Sequence, residues 1–246
     1  MANTTDTAKN QQAYREKGPI SRLLGLPFTL LGILMVALFF SIVSEWVGLF
    51  FFWPEEGWRH SQDMLNSELT WISTAFPNSL LLNEVEQNAR WIIVQAYEWG
   101  FEKTGLIEWI VQPAQQTHPA MAGPQRHLLK AYAYLEDYGL AAVYAVLTLL
   151  ARVMILILTM PMVLVAVFTG AADGLVRRDL RRFGAGRESG FIYHRAKMLI
   201  MPLWVAPWII YPALPMTVNP MLVLLPSALA LSLVVSITVG SFKKYL

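Results

Sequence analysis

The chain has 246 residues, 55% hydrophobic and only 15% charged, with a mean hydropathy of +0.44, whereas a soluble domain carries about 25% charged residues. That excludes a water-soluble globule, and the absence of cysteine excludes a disulfide framework, a thiolate metal site and a cysteine nucleophile. The formal net charge of +2 is small, but its distribution is informative: basic residues flank the apolar runs and most acidic residues fall in one central stretch.

Taken in chain order, the pattern predicts an all-α, polytopic inner-membrane protein with four transmembrane helices and a helical periplasmic insertion between the first and second. Residues 1–22 form a basic tail with Lys9, Arg15, Lys17 and Arg22. The first apolar run, 23–53, has Glu45 as its only charge and closes on Leu49-Phe50-Phe51-Phe52-Trp53. A signal peptide has an apolar region of about 7–15 residues and a small-residue cleavage site, so this run reads as an uncleaved span. Residues 54–137 carry Trp58, Trp71, Trp91, Trp99 and Trp109 at regular apolar spacing, which predicts a folded helical region. Its elements are a helix from Ser61 to Phe76 stopped by Pro77, and a long amphipathic helix between Leu80 and Val111 broken at Gly100 or Gly105. A loop over 112–124 follows, then a helix starting near Gln125.

The second span falls within 138–172. A bilayer core needs about 20 helical residues, so Met154–Ala172 suffices, leaving Arg152 near the far face, the earlier turns outside and Pro161 as a kink. Residues 173–197 are a basic loop. The 45 uncharged residues 198–242 would make roughly 68 Å of helix and are flanked by Arg195 and Lys197 before and Lys243 and Lys244 after. They therefore predict a hairpin turning within Tyr211–Pro220. Pro202, Pro207 and Pro212 predict a short, bent third helix, and Met221–Phe242 a more regular fourth despite Pro226. Residues 243–246 form the C-terminus. Thirteen Lys and Arg lie on the side of the termini and the 173–197 loop, against five in 54–137 beside eleven acidic residues. This bias places both termini in the cytoplasm and 54–137 in the periplasm.

No constellation of side chains points to catalysis. His60, His118, His127 and His194 are too scattered for a metal site, and no glycine-rich phosphate loop is present. Glu188, Ser189, Tyr193 and His194 offer a nucleophile and a base without an orienting group or oxyanion hole. The expectation is no enzyme, no cofactor and no metal. Glu45 and Arg152, the two charges inside the spans, fall at similar depth, which suggests either an ion pair between them or separate snorkelling to the interface.

The 173–197 loop is the densest feature. As a simple topology anchor it needs only Lys and Arg in any order. Here the basic residues are interleaved with Asp179, Glu188, two glycines and the aromatic pair Phe191 and Tyr193, which also suits a two-helix elbow. In that elbow Gly184 and Gly186 end one helix and Ser189 caps the next.

The string Asp-Gly-Leu-Val-Arg-Arg-Asp-Leu-Arg-Arg-Phe-Gly, followed by Gly-Arg-Glu-Ser-Gly-Phe-Ile-Tyr-His-Arg-Ala-Lys, resembles the signature of the integrating conjugative element membrane protein family. The specific motif covers Asp173 to Lys197, and length and span pattern extend the resemblance along the chain. The matching residues are Asp173, Gly174, Arg177, Arg178, Arg181, Arg182, Gly186, Arg187, Glu188, Ser189, Tyr193, His194, Arg195 and Lys197. The resemblance implies a bacterial inner-membrane protein of the conjugative type IV secretion apparatus, encoded beside the coupling-protein ATPase that recruits DNA. Two function classes follow. One is an adaptor that binds the membrane region of that ATPase or another secretion subunit; the other is a homo-oligomeric pore. Membrane lipids are expected partners of the loop, and nucleic acid a secondary one.

Overall fold

The computed structural model describes residues 19–75, 85–115, 125–183 and 190–242, and all regular structure among them is helical. The helices are α1 (Pro19–Phe51), α2 (Arg59–Ala75), α3 (Val85–Tyr97), α4 (Leu106–Gln115), α5 (Gln125–Leu158), α6 (Met160–Phe183), α7 (Gly190–Ala213) and α8 (Pro220–Gly240). A π-helical turn, Glu98–Glu102, follows α3, and Gly105 at φ +74° resets the chain before α4. The break expected inside the long amphipathic segment is therefore real and spans 98–105.

Among the described residues, five helical stretches are long and apolar enough to cross a membrane: Pro27–Phe51, Tyr132–Leu158, Met160–Arg181, Gly190–Ala213 and Pro220–Gly240. The single second span expected over 138–172 is thus two helices. Their junction is a joint in a nearly unbroken rod. Thr159 N–H donates to Ile155 O at 3.0 Å and Val163 N–H to Thr159 O at 3.3 Å, so α-type bonds bracket Pro161, which has no N–H to give. The Thr159 hydroxyl adds bonds to the carbonyls of Ile155 and Leu156.

The two halves of this rod have different surroundings. In the most apolar window of α5, 67% of residues are buried inside the protein, against 11–28% in the other four apolar stretches. The α5 stripe Leu140, Val143, Leu147, Ala151 and Ile155 forms the core with Leu65, Leu69 and Ile72 of α2, Val85, Ala89 and Ile93 of α3, and Ile110 of α4. In contrast α1, α6, α7 and α8 turn large apolar side chains outward, among them Phe39, Phe168, Met201 and Leu229.

α6 and α8 run parallel and touch backbone to backbone. A Cβ on Gly170 would stand 2.2 Å from Ser232 O, and one on Gly174 2.6 Å from Ser236 O. Small residues four apart on each helix permit this approach: Gly170 and Gly174 facing Ser232, Ser236 and Gly240. α7 returns antiparallel to α8, and the turn between them occupies 214–219. α8 starts at Pro220 with Asn219 as its cap, whose side-chain oxygen accepts from Met221 N–H at 2.9 Å. α7 was expected to be short; it stays helical for 24 residues through Pro202, Pro207 and Pro212. α1 lies beside α7, its Ser44 hydroxyl bonded to Ala213 O at 2.9 Å, and continues along α5, where Trp46 Nε1 donates to Tyr138 O at 3.1 Å.

Candidate functional site

α2 is built on an amphipathic repeat whose buried residues are Ser61, Met64, Leu65, Glu68, Leu69 and Ile72. Glu68 therefore falls on the core stripe, where a lone carboxylate is costly. Its partner is Arg152 of α5. Arg152 Nε donates to Glu68 Oε1 at 2.8 Å, and both side chains are fully buried. Tyr211 of α7 donates its hydroxyl to the other oxygen, Oε2, at 2.6 Å.

The remaining edge of the guanidinium meets the end of α7. The last carbonyls of any helix lack intrahelical partners, and Pro215 in the following turn has no N–H to offer them. Arg152 Nη1 donates to Leu214 O at 2.6 Å, with Tyr211 O at 3.2 Å and Pro212 O at 3.3 Å, and Nη2 donates to Met216 O at 2.9 Å. One fork of N–H groups thus satisfies a carboxylate on α2 and four carbonyls over 211–216.

Glu45 has different neighbours. Its Oε1 accepts from Ser61 Oγ at 2.6 Å and lies 3.0 Å from His60 Nδ1, and the His60 ring stacks on Trp53 at 3.9 Å. The Glu45–Arg152 ion pair suggested by the two charges is not formed. Both are buried, at 1% and 0% exposure, so neither snorkels. Sequence reasoning missed Glu68, Tyr211, His60 and Ser61 as partners. For Glu68 the signal was legible, since its place on the apolar stripe of α2 demands a buried cation.

The motif residues divide between two helices. Asp173, Gly174, Arg177, Arg178 and Arg181 are on α6, and Tyr193, His194, Arg195 and Lys197 on α7. Gly186, Arg187, Glu188 and Ser189, with the expected break at Gly184, lie outside the described residues, as does the side chain of Arg182. Asp173 accepts from the Ser236 hydroxyl and pairs with Arg177 Nε at 2.8 Å, so it ties α6 to α8 where Gly174 makes its close approach. Phe242 joins the two halves of the motif: Arg178 lies 5.8 Å from its ring centroid and the Tyr193 ring packs edge-on at 5.8 Å. Arg195 sits 5.1 Å over Phe191, and Lys197 5.9 Å over Tyr193. Among the described residues no group of three or more metal-ligating side chains comes together.

A family model described as "IncC plasmid conjugative DNA transfer protein DtrJ-like" matches residues 52–243. That span contains all of α2 to α8, including Glu68, Arg152, Tyr211 and the whole 173–197 motif. Neither the curated proteins nor the solved structures include a match to the chain.

Because Arg152→Ala would leave the Glu68 carboxylate buried and unpaired, it is expected to cost about 3–5 kcal/mol of stability. Glu68→Ala should also destabilise, and the double variant should lose less than the two losses added together. Glu45→Ala combined with Arg152→Ala should be additive. Unfolding of the purified variants in mild detergent, followed by loss of helical circular dichroism, measures all of these.

Proposed function

The chain belongs to the DtrJ-like family of conjugative DNA transfer proteins, and on that premise we propose that it is a membrane adaptor of the type IV secretion apparatus. In this reading it acts by binding, without catalysis of its own, and its partner is the membrane region of the coupling-protein ATPase. The observation that carries the reading is the fate of the internal charges. Glu68 and Arg152 are paired with each other, and Glu45 is held through Oε1 by Ser61 and His60 while its Oε2 is buried without a hydrogen-bond partner among the described residues, whereas a conducting path needs a run of polar groups lining a cavity. What remains for other molecules is outer surface: apolar helix faces at membrane depth and a basic end at the α6–α7 elbow. This favours the adaptor over a homo-oligomeric pore.

We further propose four membrane crossings, by α1, α6, α7 and α8, in the bacterial inner membrane. α5 then stands in the periplasm as the stem around which α2, α3 and α4 pack. Its internal burial and its bonded joint to α6 support this arrangement, and the basic bias of the tails and elbow supports cytoplasmic termini. A periplasm-only reporter enzyme should be inactive when fused after Leu246 and active when fused after Gln115. A fifth crossing by α5 would reverse the C-terminal result.

The adaptor reading expects Arg187→Ala and Glu188→Ala to lower conjugative transfer by at least about tenfold, the worth of one charge-assisted contact, at unchanged membrane abundance. Co-purification of the ATPase from gently solubilised membranes should fall in parallel. A lipid anchor alone would tolerate Glu188→Ala, and normal transfer in both variants would refute the docking role.

A further inference from the structure

At the elbow end of the helix layer, a groove runs between α6 and α8. Arg177, Leu180 and Arg181 form one wall, and Ile237, Gly240 and Ser241 the other. The close approach at Gly174 and Gly240 sets its depth, since Gly240 Cβ would lie 3.5 Å from Gly174 O. Arg177 and Arg181 are one turn apart and so share a helix face.

The cations are arranged and not merely present. The buried Ser236 hydroxyl donates to Asp173, and Asp173 holds Arg177 by its Nε. That contact fixes the stem of Arg177 and leaves the Nη edge of its fork for a second anion. Arg181 has no ion pair among the described residues. Two guanidinium groups against the single carboxylate of Asp173 leave one net positive charge, which suits a monoanionic phosphodiester. Beside this charge the walls are apolar, with Leu180 65% exposed and Ile237 facing it across the groove. A free inorganic anion gains nothing from such walls, whereas a phosphodiester attached to acyl chains does. Depth agrees as well: the apolar stretches of α6 and α8 end at Arg181 and Gly240, the level at which a spanning pair meets lipid headgroups.

We propose that this groove binds the phosphodiester of an anionic membrane phospholipid, gripped by Arg177 and Arg181, with Leu180 and Ile237 against its first acyl methylenes. The site requires only that α6 and α8 cross the membrane, and it stands whether or not the chain is an adaptor.

The test places the full-length protein in lipid nanodiscs containing phosphatidylglycerol and phosphatidylcholine. The protein is then extracted in mild detergent and the lipids it retains are counted by native mass spectrometry. Wild-type protein should keep one phosphatidylglycerol in preference to phosphatidylcholine. The Arg177→Gln/Arg181→Gln variant should lose that preference by about thirtyfold, the worth of two basic side chains at an anionic surface. Ser241→Glu, which sets a carboxylate opposite the arginines without removing them, should also lose it and decides the matter if the double variant fails to reach the membrane. Arg90→Gln, on α3, should retain the lipid as wild type does. Unchanged retention in both groove variants, equal retention of the two lipids, or displacement of the lipid by inorganic phosphate would overturn the proposal.

Discussion

A fully buried guanidinium governs how this chain is put together. Arg152 cannot stay in the core without compensation, and its five N–H donors accept only a matching set of acceptors. Glu68 supplies the countercharge, and the carbonyls of Tyr211, Pro212, Leu214 and Met216 supply the rest. Three stretches far apart in sequence, namely α2, the C-terminal turns of α5 and the α7–α8 turn, must therefore meet at one point. The proline-rich end of α7, which on its own leaves carbonyls unsatisfied, is capped from outside by this one side chain.

The clasp separates two modes of burial. On one side, α5 is covered by α2, α3 and α4 in a core that resembles that of a soluble helical domain. On the other, α6 and α8 pack through small residues, and α1, α6, α7 and α8 face outward with leucine, phenylalanine and methionine. The α5–α6 rod passes through both environments, and its joint at Thr159–Pro161 lies just beyond the clasp. With Glu68 and Arg152 committed to each other and Glu45 held through one oxygen, the charge at one end is mostly basic, from Arg177 and Arg178 of α6 and Arg195 and Lys197 of α7. In the 85–115 region Trp91, Trp99 and Trp109 are exposed, and the Lys103 ammonium lies 3.6 Å from the centroid of the Trp99 ring.

Much of the helical order was readable because apolar runs and their charged flanks are strong signals. The hairpin of α7 and α8, the helix from Gln125 and the break near Gly105 all follow from local chemistry. What escaped depends on tertiary partners. Gly100 signals an interruption at 98–102 but not that it takes the form of a π-helical turn. α7 outlasts its prolines because neighbouring helices hold it. Composition alone does not separate α5 from a lipid-facing helix; only the burial of Leu147 and Ile155 by α2 and α3 does. Pairing Arg152 with Glu45 ignored the acidic residue on the buried stripe of α2, since Glu68 sits in a polar-looking segment. The motif residues stood out as a string, but the role of Phe242 in joining Arg178 to Tyr193 comes from the residues just after α8, which are remote in sequence.

Hydrogen–deuterium exchange on Arg152→Met in mild detergent addresses the clasp most directly, because methionine fills the volume without donating to any acceptor. If Arg152 ties the three stretches together, amides of α2 and of the 214–219 turn should lose protection together, while the Gly170–Gly174 contact of α6 with α8 keeps its own. Protection that falls only around residue 152 within α5, with α2 and the turn unchanged, would contradict the account.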